Sequence, residues 1–382
     1  MKKLLIATAV SAAFAAPTLA LAQAARAPTL SQVLDASGLD VSGYVDAGYS
    51  YANKNVEAAP PAGFSNRVFD SQNNSFALHQ FGLRVAKQPT RGFGGVVNIT
   101  AGADAQVIHA FPETTAAPLS LFDITQAYGQ YASGSLTLMA GKFVTLAGSE
   151  VIWSPSNGNF SHSILFGAIP FTHTGVRAGY ALSNTVTLYG GINNGWDQLT
   201  DANKGKTIEL GASITPIRPL TINVTGYFGK ESAAAPGTPV VGGAQDTRNL
   251  LNVVANYTIN NRMSAGGELL YVSQDRAVGG AAKYNGLAGY FTYNLNREWR
   301  VAARAEMFDD KNGFHFTPAA PFTASDTKYN EVTGTLAYLP SSSVELRTEL
   351  RVDQANNAVF RNSDGTTAKS LQTLGFQGIY KF

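Results

Sequence analysis

The chain of 382 residues contains no cysteine, which excludes disulfides, thiolate metal sites and a cysteine nucleophile. Charge is scarce too: Asp, Glu, Lys and Arg make up 14% of the residues, against roughly 25% in an ordinary soluble domain. The charges that are present nearly cancel, with 28 Lys and Arg against 26 Asp and Glu. Two of the 28, Lys2 and Lys3, stand at the extreme N-terminus. A balance so near zero gives no electrostatic grip on nucleic acid, which needs a basic surface. Past residue 22 no stretch approaches the ~18–20 uninterrupted apolar residues of a spanning helix. Yet 45% of the chain is apolar. Oily residues without oily runs must be interleaved with polar ones.

The start of the chain reads as a targeting signal. Met1-Lys2-Lys3 precedes the apolar run Leu4 to Ala16, and Ala20-Leu21-Ala22 stands before Gln23. A positive start, an apolar centre and an A-x-A site make a secretory signal peptide over 1–22. Pro17 and the small-residue flank speak against a membrane anchor. Residues 23–38 are expected to form an N-terminal periplasmic segment or a short helix, with Leu30, Val33 and Leu34 on one face. It sits on the periplasmic side or partly plugs the lumen; the sequence leaves both open.

From Leu39 onward the dominant period is two, not 3.6. Over residues 96–107 one parity holds Val97, Ile99, Ala101, Ala103, Ala105 and Val107, and the other Asn98, Thr100, Asp104 and Gln106 among its members. A strand puts each set on one face, whereas a helix would scatter both. Residues 207–215 and 220–228 repeat the pattern, as do 299–308 and 344–353, whose polar faces are strongly charged. The chain is expected to be all-β.

Connections alternate in length. Short ones fall near Gln88–Gly92, Ala132–Gly134, Ser183–Asn184, Pro216–Pro219, Asn260–Asn261, Asn294–Arg297 and Pro340–Ser342. Long ones fall near 54–72, 108–121, 144–168, 194–206, 230–247, 273–283, 309–326 and 354–368. Seven short turns and eight long loops separate sixteen candidate strands, within a range of 14–18. Short turns on one side and long loops on the other mark a transmembrane antiparallel β-barrel, with the short turns periplasmic and the long loops extracellular. The barrel is expected over 39–382.

Aromatic placement tests this topology independently. Tyr131, Tyr180, Tyr257, Tyr293, Tyr338 and Tyr380 lie on the apolar parity near a short turn or the chain end, joined by Trp299 and Phe382. They would form one belt at a single membrane depth. Tyr49, Tyr51, Phe228 and Tyr271 would supply the opposite belt. Small residues on the outer parity (Ala101, Ala103 and Ala105; Gly43 and Ala47) suggest a protein–protein contact, leaving trimer and monomer both open.

The last segment alternates Leu374, Phe376, Gly378, Tyr380 and Phe382. It resembles the final strand of outer-membrane β-barrel proteins, whose terminal aromatic is recognised by the barrel assembly machinery; Tyr380 and Phe382 would be that signal. More widely, residues 38–382 resemble the OmpL-like family of outer-membrane β-barrel porins. The segments that carry the resemblance are VSGYVDAGY, FDITQAYGQYASGSLTLMAGKFVTLAGSEVI, SNGNFSHSILFGAIPFTHTGVRAGY and WRVAARAEMFDDKNG. The resemblance implies passive diffusion through a barrel in the outer membrane of a Gram-negative bacterium, and names no solute.

Site residues follow from parity. A barrel of 16–18 strands leaves an aqueous lumen, so inward charges are candidates for pore lining. These are Asp40, Asp46, Arg84, Asp104, Arg177, Glu209, Glu268, Arg300, Arg304, Glu306, Glu331, Glu345, Arg347, Glu349, Arg351 and Asp353. Lys142 shares its parity with Leu136 and Leu138 and so requires a bulge or an interface position. On 299–308 and 344–353, Arg300, Arg304, Arg347 and Arg351 face the same wall as Glu306, Glu345, Glu349 and Asp353. A basic ladder would set a field across the pore; a salt-bridged lattice would stiffen the wall. The even balance favours the lattice and weak charge selectivity.

The loop over 144–168 combines Glu150, Trp153, Pro155, Phe160 and Phe166 with Asn157, Asn159 and His162. A loop this apolar is expected to fold inward and narrow the lumen, as third loops do in general porins, with Glu150 and His162 opposite wall arginines. A cap over the barrel mouth is the alternative.

Enzyme chemistry finds no support. No G-x-S-x-G is present, Gly205-Lys206-Thr207 lacks the upstream glycine of a phosphate loop, and the five histidines show no metal-binding spacing. Ser161-His162-Ser163 only superficially suggests a hydrolase, since adjacent side chains point in different directions. The expected protein is therefore a porin for small hydrophilic solutes, without cofactor or metal. Its partners would be outer-membrane lipid and the assembly machinery. The alternatives are a non-conducting structural or adhesive barrel and, behind it, a barrel hydrolase.

Overall fold

The computed structural model describes residues 34, 36–54, 66–110, 120–201, 203–232, 245–275, 281–311, 313–316, 326–362, 364 and 366–382. The expected signal peptide at 1–22 and nearly all of the 23–38 segment lie outside the described residues.

The strands in chain order are β1 (Asp40–Ala52), β2 (Ser75–Lys87), β3 (Arg91–Ala101), β4 (Phe122–Ser133), β5 (Leu136–Val144) and β6 (Thr172–Ala181). Then come β7 (Val186–Asn193), β8 (Thr207–Ile217), β9 (Leu220–Ser232), β10 (Gln245–Thr258), β11 (Met263–Gln274) and β12 (Ala282–Asn294). The set ends with β13 (Trp299–Lys311), β14 (Thr327–Tyr338), β15 (Val344–Ala355), β16 (Phe360–Arg361), β17 (Thr367–Ala368) and β18 (Ser370–Lys381). β16 and β17 form a small hairpin inside the last long loop. The other sixteen pair with their neighbours in sequence, and β1 pairs with β18, closing an antiparallel barrel. Closure satisfies every ladder amide, the only way strands can cross hydrocarbon. The seam is fastened at the chain end, where Gly43 and Phe382 exchange two backbone hydrogen bonds of 2.9 Å.

Sequence alternation becomes inside and outside. On β15, Glu345, Arg347, Glu349, Arg351 and Asp353 are buried while Leu346, Leu350 and Val352 are exposed; β14 alternates likewise. Around the circumference the outer face exposes Phe76, Phe93, Ile124, Leu138, Val176, Leu210, Leu269, Met307 and Val332. An apolar surface this extensive, with the charges turned inward, suits lipid and not water. At the short-turn end Trp299 packs on Tyr338 at 4.8 Å and Phe93 on Tyr131 at 4.9 Å.

Two local expectations are corrected, and the odd parity of Lys142 is explained. The strand expected over 96–107 stops at Ala101. Gly102, at φ 128°, turns the chain so closely past His79 that a Cβ would lie 2.4 Å from its carbonyl oxygen, and a short helix α1 (Ala105–Ile108) follows. Ala105 is therefore fully buried and not part of an outer small-residue patch. Gly43 is not open either, because the Phe382 ring lies over it. Lys142 is buried against Asp123, its Nζ 3.1 Å from the carboxylate and 2.8 Å from the Ile124 carbonyl. It follows Gly141 at φ 134°, a conformation that breaks the simple alternation of β5.

Two bulges shape the interior. His79 has no partner in the β1–β2 register and Thr125 none in β3–β4. An extra residue lets two consecutive side chains face inward. His79 with Gln80, and Thr125 with Gln126, do so.

Candidate functional site

The third long loop, residues 145–171, enters the barrel and is bound along the far wall. Its backbone is served by wall side chains one after another. Leu146 N–H donates to Tyr227 at 2.9 Å, Gly148 N–H to Asn252 at 2.9 Å and Ser149 N–H to Glu268 at 3.0 Å. Glu349 accepts from the N–H groups of Phe160 and Ser161 at 2.6 and 2.9 Å. Glu306 accepts from those of Ile164 and Leu165 at 2.7 and 3.2 Å, at the start of the single-turn helix α2 (Ile164–Gly167). The arginines take the carbonyls: Arg304 donates to Ser161, Arg347 to Asn157 and Asn159, and Arg351 to His162, all at 2.6–2.9 Å. A carboxylate matches two successive N–H donors and a guanidinium matches carbonyls, so each pairing satisfies backbone groups that have left water.

The wall charges also bind one another. Arg304 meets Glu331 at 3.0 Å, Arg347 meets Glu345 at 2.6 Å and Arg351 meets Asp353 at 2.8 Å; Arg300 also contacts Glu345. On the loop side Glu150 lies 2.7 Å from Arg304 and accepts from Ser163 N–H. Burial alone would raise the Glu150 pKa, but Arg304, His162 and the Ser163 N–H outweigh it and hold the carboxyl below the usual carboxylate range. From the first long loop, Asn66 and Arg67 also reach Asp353, at 2.8 and 2.6 Å, a contact that no pattern in the sequence announced.

The remaining sequence-derived residues are distributed as follows. Arg177 is paired with Glu209 at 2.7 Å and lies over the Phe143 ring. Asp46 accepts from Gln377, and Asp104 from His79 and Gln80. Arg84 pairs with Asp40 at the short-turn end, where both are partly exposed. Trp153 packs on Tyr44 at 4.8 Å. Asn157 ties the loop to itself at Val151, Asn159 donates to Thr335, and His162 lies among Phe69 and Phe166. Arg304, Glu306, Glu331, Arg347, Glu349 and Arg351 are each no more than 3% exposed.

Opposite the bound loop a cavity of about 440 Å³ remains. Asn98 and Thr100 of β3, Thr125 and Gln126 of β4, and Asn223 and Thr225 of β9 line its wall side. Trp153, Phe166, Ile169 and Phe171 of the loop line the other. Among the described residues Glu150 is its one charged lining residue, and it is paired with Arg304. Beside these amides and hydroxyls the wall also presents Val144, Tyr189, Ala212 and Val224. Asn98, Thr100, Asn223 and Thr225 stand on the polar parity of their segments but carry no charge to mark them, whereas Thr125 and Gln126 share the inner face only through the β4 bulge.

A closed sixteen-strand barrel, apolar outside and polar inside, with a loop drawn into its lumen, defines a channel of the outer-membrane porin class. The chain belongs to the family described as "Putative beta-barrel porin-2, OmpL-like", which it matches over residues 38–382. Among solved structures it is similar in fold to the anion-selective porin from Comamonas acidovorans, at 12% identity and a TM-score of 0.62, covering 90% of this chain and 99% of that one. Outer-membrane OmpT of Vibrio cholerae gives 13% identity and 0.60, covering 90% and 97%. The channel DcaP of Acinetobacter baumannii gives 14% and 0.59, covering 90% and 97%. No curated protein matches the chain. Among the described residues no group of three or more His, Cys, Asp or Glu could hold a metal ion. Fold and family are those of a passive-transport channel of the outer membrane, not of an enzyme.

Proposed function

We propose that the protein passes small hydrophilic solutes and ions by diffusion, with weak charge selectivity, through the space beside the third loop. The observation that carries this is the chemistry of the two walls. The charged wall is engaged by the loop backbone and by its own counter-charges, whereas the wall of the remaining cavity offers Asn98, Thr100, Gln126, Asn223 and Thr225. Neutral amides and hydroxyls hydrate a passing solute without preferring either sign of charge. The anion selectivity named for the Comamonas porin is thus not carried over to this chain.

The test is conductance in a planar bilayer under a salt gradient. Ohmic steps with a reversal potential near zero support the reading; a reversal potential close to the Nernst value of either ion overturns the selectivity part. A non-conducting barrel is the second reading, favoured by the near-complete burial of the inward charges. Absence of steps from correctly folded protein selects it.

The reading extends to export and assembly. Residues 1–22 act as a cleaved export signal, and 23–38 follow it as a periplasmic segment or short helix. Tyr380 and Phe382 are read by the barrel assembly machinery, and lipid covers the outer face. One solved OmpT structure is described as a trimer form; whether copies of this chain associate is answered by its mass in detergent.

A further inference from the structure

The outer faces of three adjacent strands share one order of side chains at their long-loop ends. Going outward from the membrane, β12 presents Leu287, Asn285 and Lys283. β13 presents Met307, Asp309 and Lys311, and β14 presents Val332, Asn330 and Lys328. Each sequence passes from apolar to amide or acid to ammonium. All three lysines are exposed and lie on the same parity as the lipid-facing residues below them.

The pairing makes this arrangement costly. Lys283 and Lys311 are direct cross-strand partners in the β12–β13 register. Directly opposite residues have Cβ atoms about 4.5–5.5 Å apart, and like charges placed so are destabilising. Among the described residues the one acidic side chain on this patch, Asp309, faces Lys328 across the β13–β14 pair, and none of the three lysines has an ion-pair partner. Lys206, at the long-loop end of β8, contrasts with them, since it has an acidic partner in Asp201. The outward ends vary from strand to strand: on β2 and β4 they carry Phe76 and Phe122, and on β9 an exposed Lys230.

We propose that Lys283, Lys311 and Lys328 form a docking site for the phosphate groups of a glycolipid in the outer leaflet. An anionic headgroup would neutralise the facing ammonium groups. Its acyl chains would lie along Leu287, Met307 and Val332, and the lysine stems would cover the boundary between the two. The patch suits a lipid better than a soluble anion because the apolar surface and the charges are continuous on one face.

The experiment uses the full barrel in neutral detergent micelles, doped in turn with diphosphorylated lipid A, with the same lipid A after phosphatase treatment, or with inorganic phosphate. Binding is read by native mass spectrometry and by the melting midpoint. The diphosphorylated lipid is expected to bind at least about tenfold more tightly than the dephosphorylated one, and the triple variant K283Q/K311Q/K328Q to lose that difference. Without any lipid, K311Q alone is expected to melt higher than the parent, because it removes the repulsion. K311Q also serves if the triple variant fails to fold, since it should weaken binding of the phosphorylated lipid. Equal binding of the two lipids, equal protection by inorganic phosphate, or variants that bind as the parent does would overturn the proposal.

Discussion

Arg304 of β13 and Glu150 of the third loop meet at 2.7 Å inside the barrel, and Arg304 also holds Glu331 at 3.0 Å and the Ser161 carbonyl at 2.6 Å. The two ends of this contact are not equivalent. Removing Glu150 leaves Arg304 with Glu331. Removing Arg304 leaves Glu150 buried without a guanidinium and Glu331 with only the more distant Arg351, at 3.9 Å. Breaking a buried pair from the side that strands charge costs about 3–5 kcal/mol. Arg304→Ala is therefore expected to lower the melting midpoint in detergent more than Glu150→Ala. Equal losses would contradict the asymmetry.

Glu349 and Glu306 each accept two successive loop N–H groups. Glutamine keeps the size of the side chain but has one acceptor oxygen in place of two. Glu349→Gln thus leaves one buried N–H unsatisfied, a cost of about 1–3 kcal/mol. The loop should loosen without leaving the lumen. Open-channel current noise is expected to rise while mean conductance changes little, and chymotrypsin should cut more quickly at Phe160. Unaltered noise and cleavage together would show that the carboxylate is not a clamp.

Removing the strap altogether gives a larger effect. Deletion of residues 154–163 frees Arg347, Arg351 and Glu349 from their loop partners and opens the lumen on that side. Single-channel conductance is expected to rise severalfold; a Gly-Ser segment of the same length serves if the deletion does not fold. Unchanged conductance would falsify the constriction.

Much of this was legible in the sequence, for a physical reason. A barrel wall has water or protein on one side and lipid on the other, so Leu346, Arg347, Thr348, Glu349 and Leu350 record their facing in strict alternation. Turn lengths recorded the topology for the same reason, since only one end of the barrel carries the long loops. What could not be read was what the inward charges touch. Glu349 looks the same in sequence whether it meets water, Arg347 or the backbone of Phe160. The bulges at His79 and Thr125 were also hidden, because a single inserted residue shifts parity without changing composition. Lys142 signalled such a break by its wrong parity, and Gly141 is where the backbone departs.

The seam gives a prediction about assembly. The Phe382 ring covers Gly43 so closely that a Cβ there would lie 2.6 Å from it, and the two residues exchange backbone hydrogen bonds. Gly43→Val should push the ring aside and weaken the β1–β18 junction, whereas Ala47→Val, on an exposed outer position of the same strand, should be tolerated. The measurement is the fraction of protein that runs in the compact, heat-modifiable form on unboiled gels. A fall for Gly43→Val alone is expected.

A pH dependence follows from Asp197, in the fourth long loop. Its carboxylate accepts from the N–H groups of Phe171 and Thr172 at 2.9 and 2.8 Å, which ties that loop to the end of the third. Burial dominates these hydrogen bonds, and the pKa is pushed up to about 7. In the unfolded chain the group titrates near its ordinary value of 3.8. The folded state therefore holds a proton that the unfolded state has lost between those two values. By linkage, the contribution of this group to stability is largest below pH 4 and falls as the pH rises to about 7, after which it is flat. Asp197→Asn keeps an oxygen to accept both N–H groups and carries no charge to bury. The variant is expected to match the parent at pH 4 and to melt higher at pH 8, with a smaller decline between. A parent and a variant whose midpoints fall in parallel from pH 4 to 8 would place the titration elsewhere.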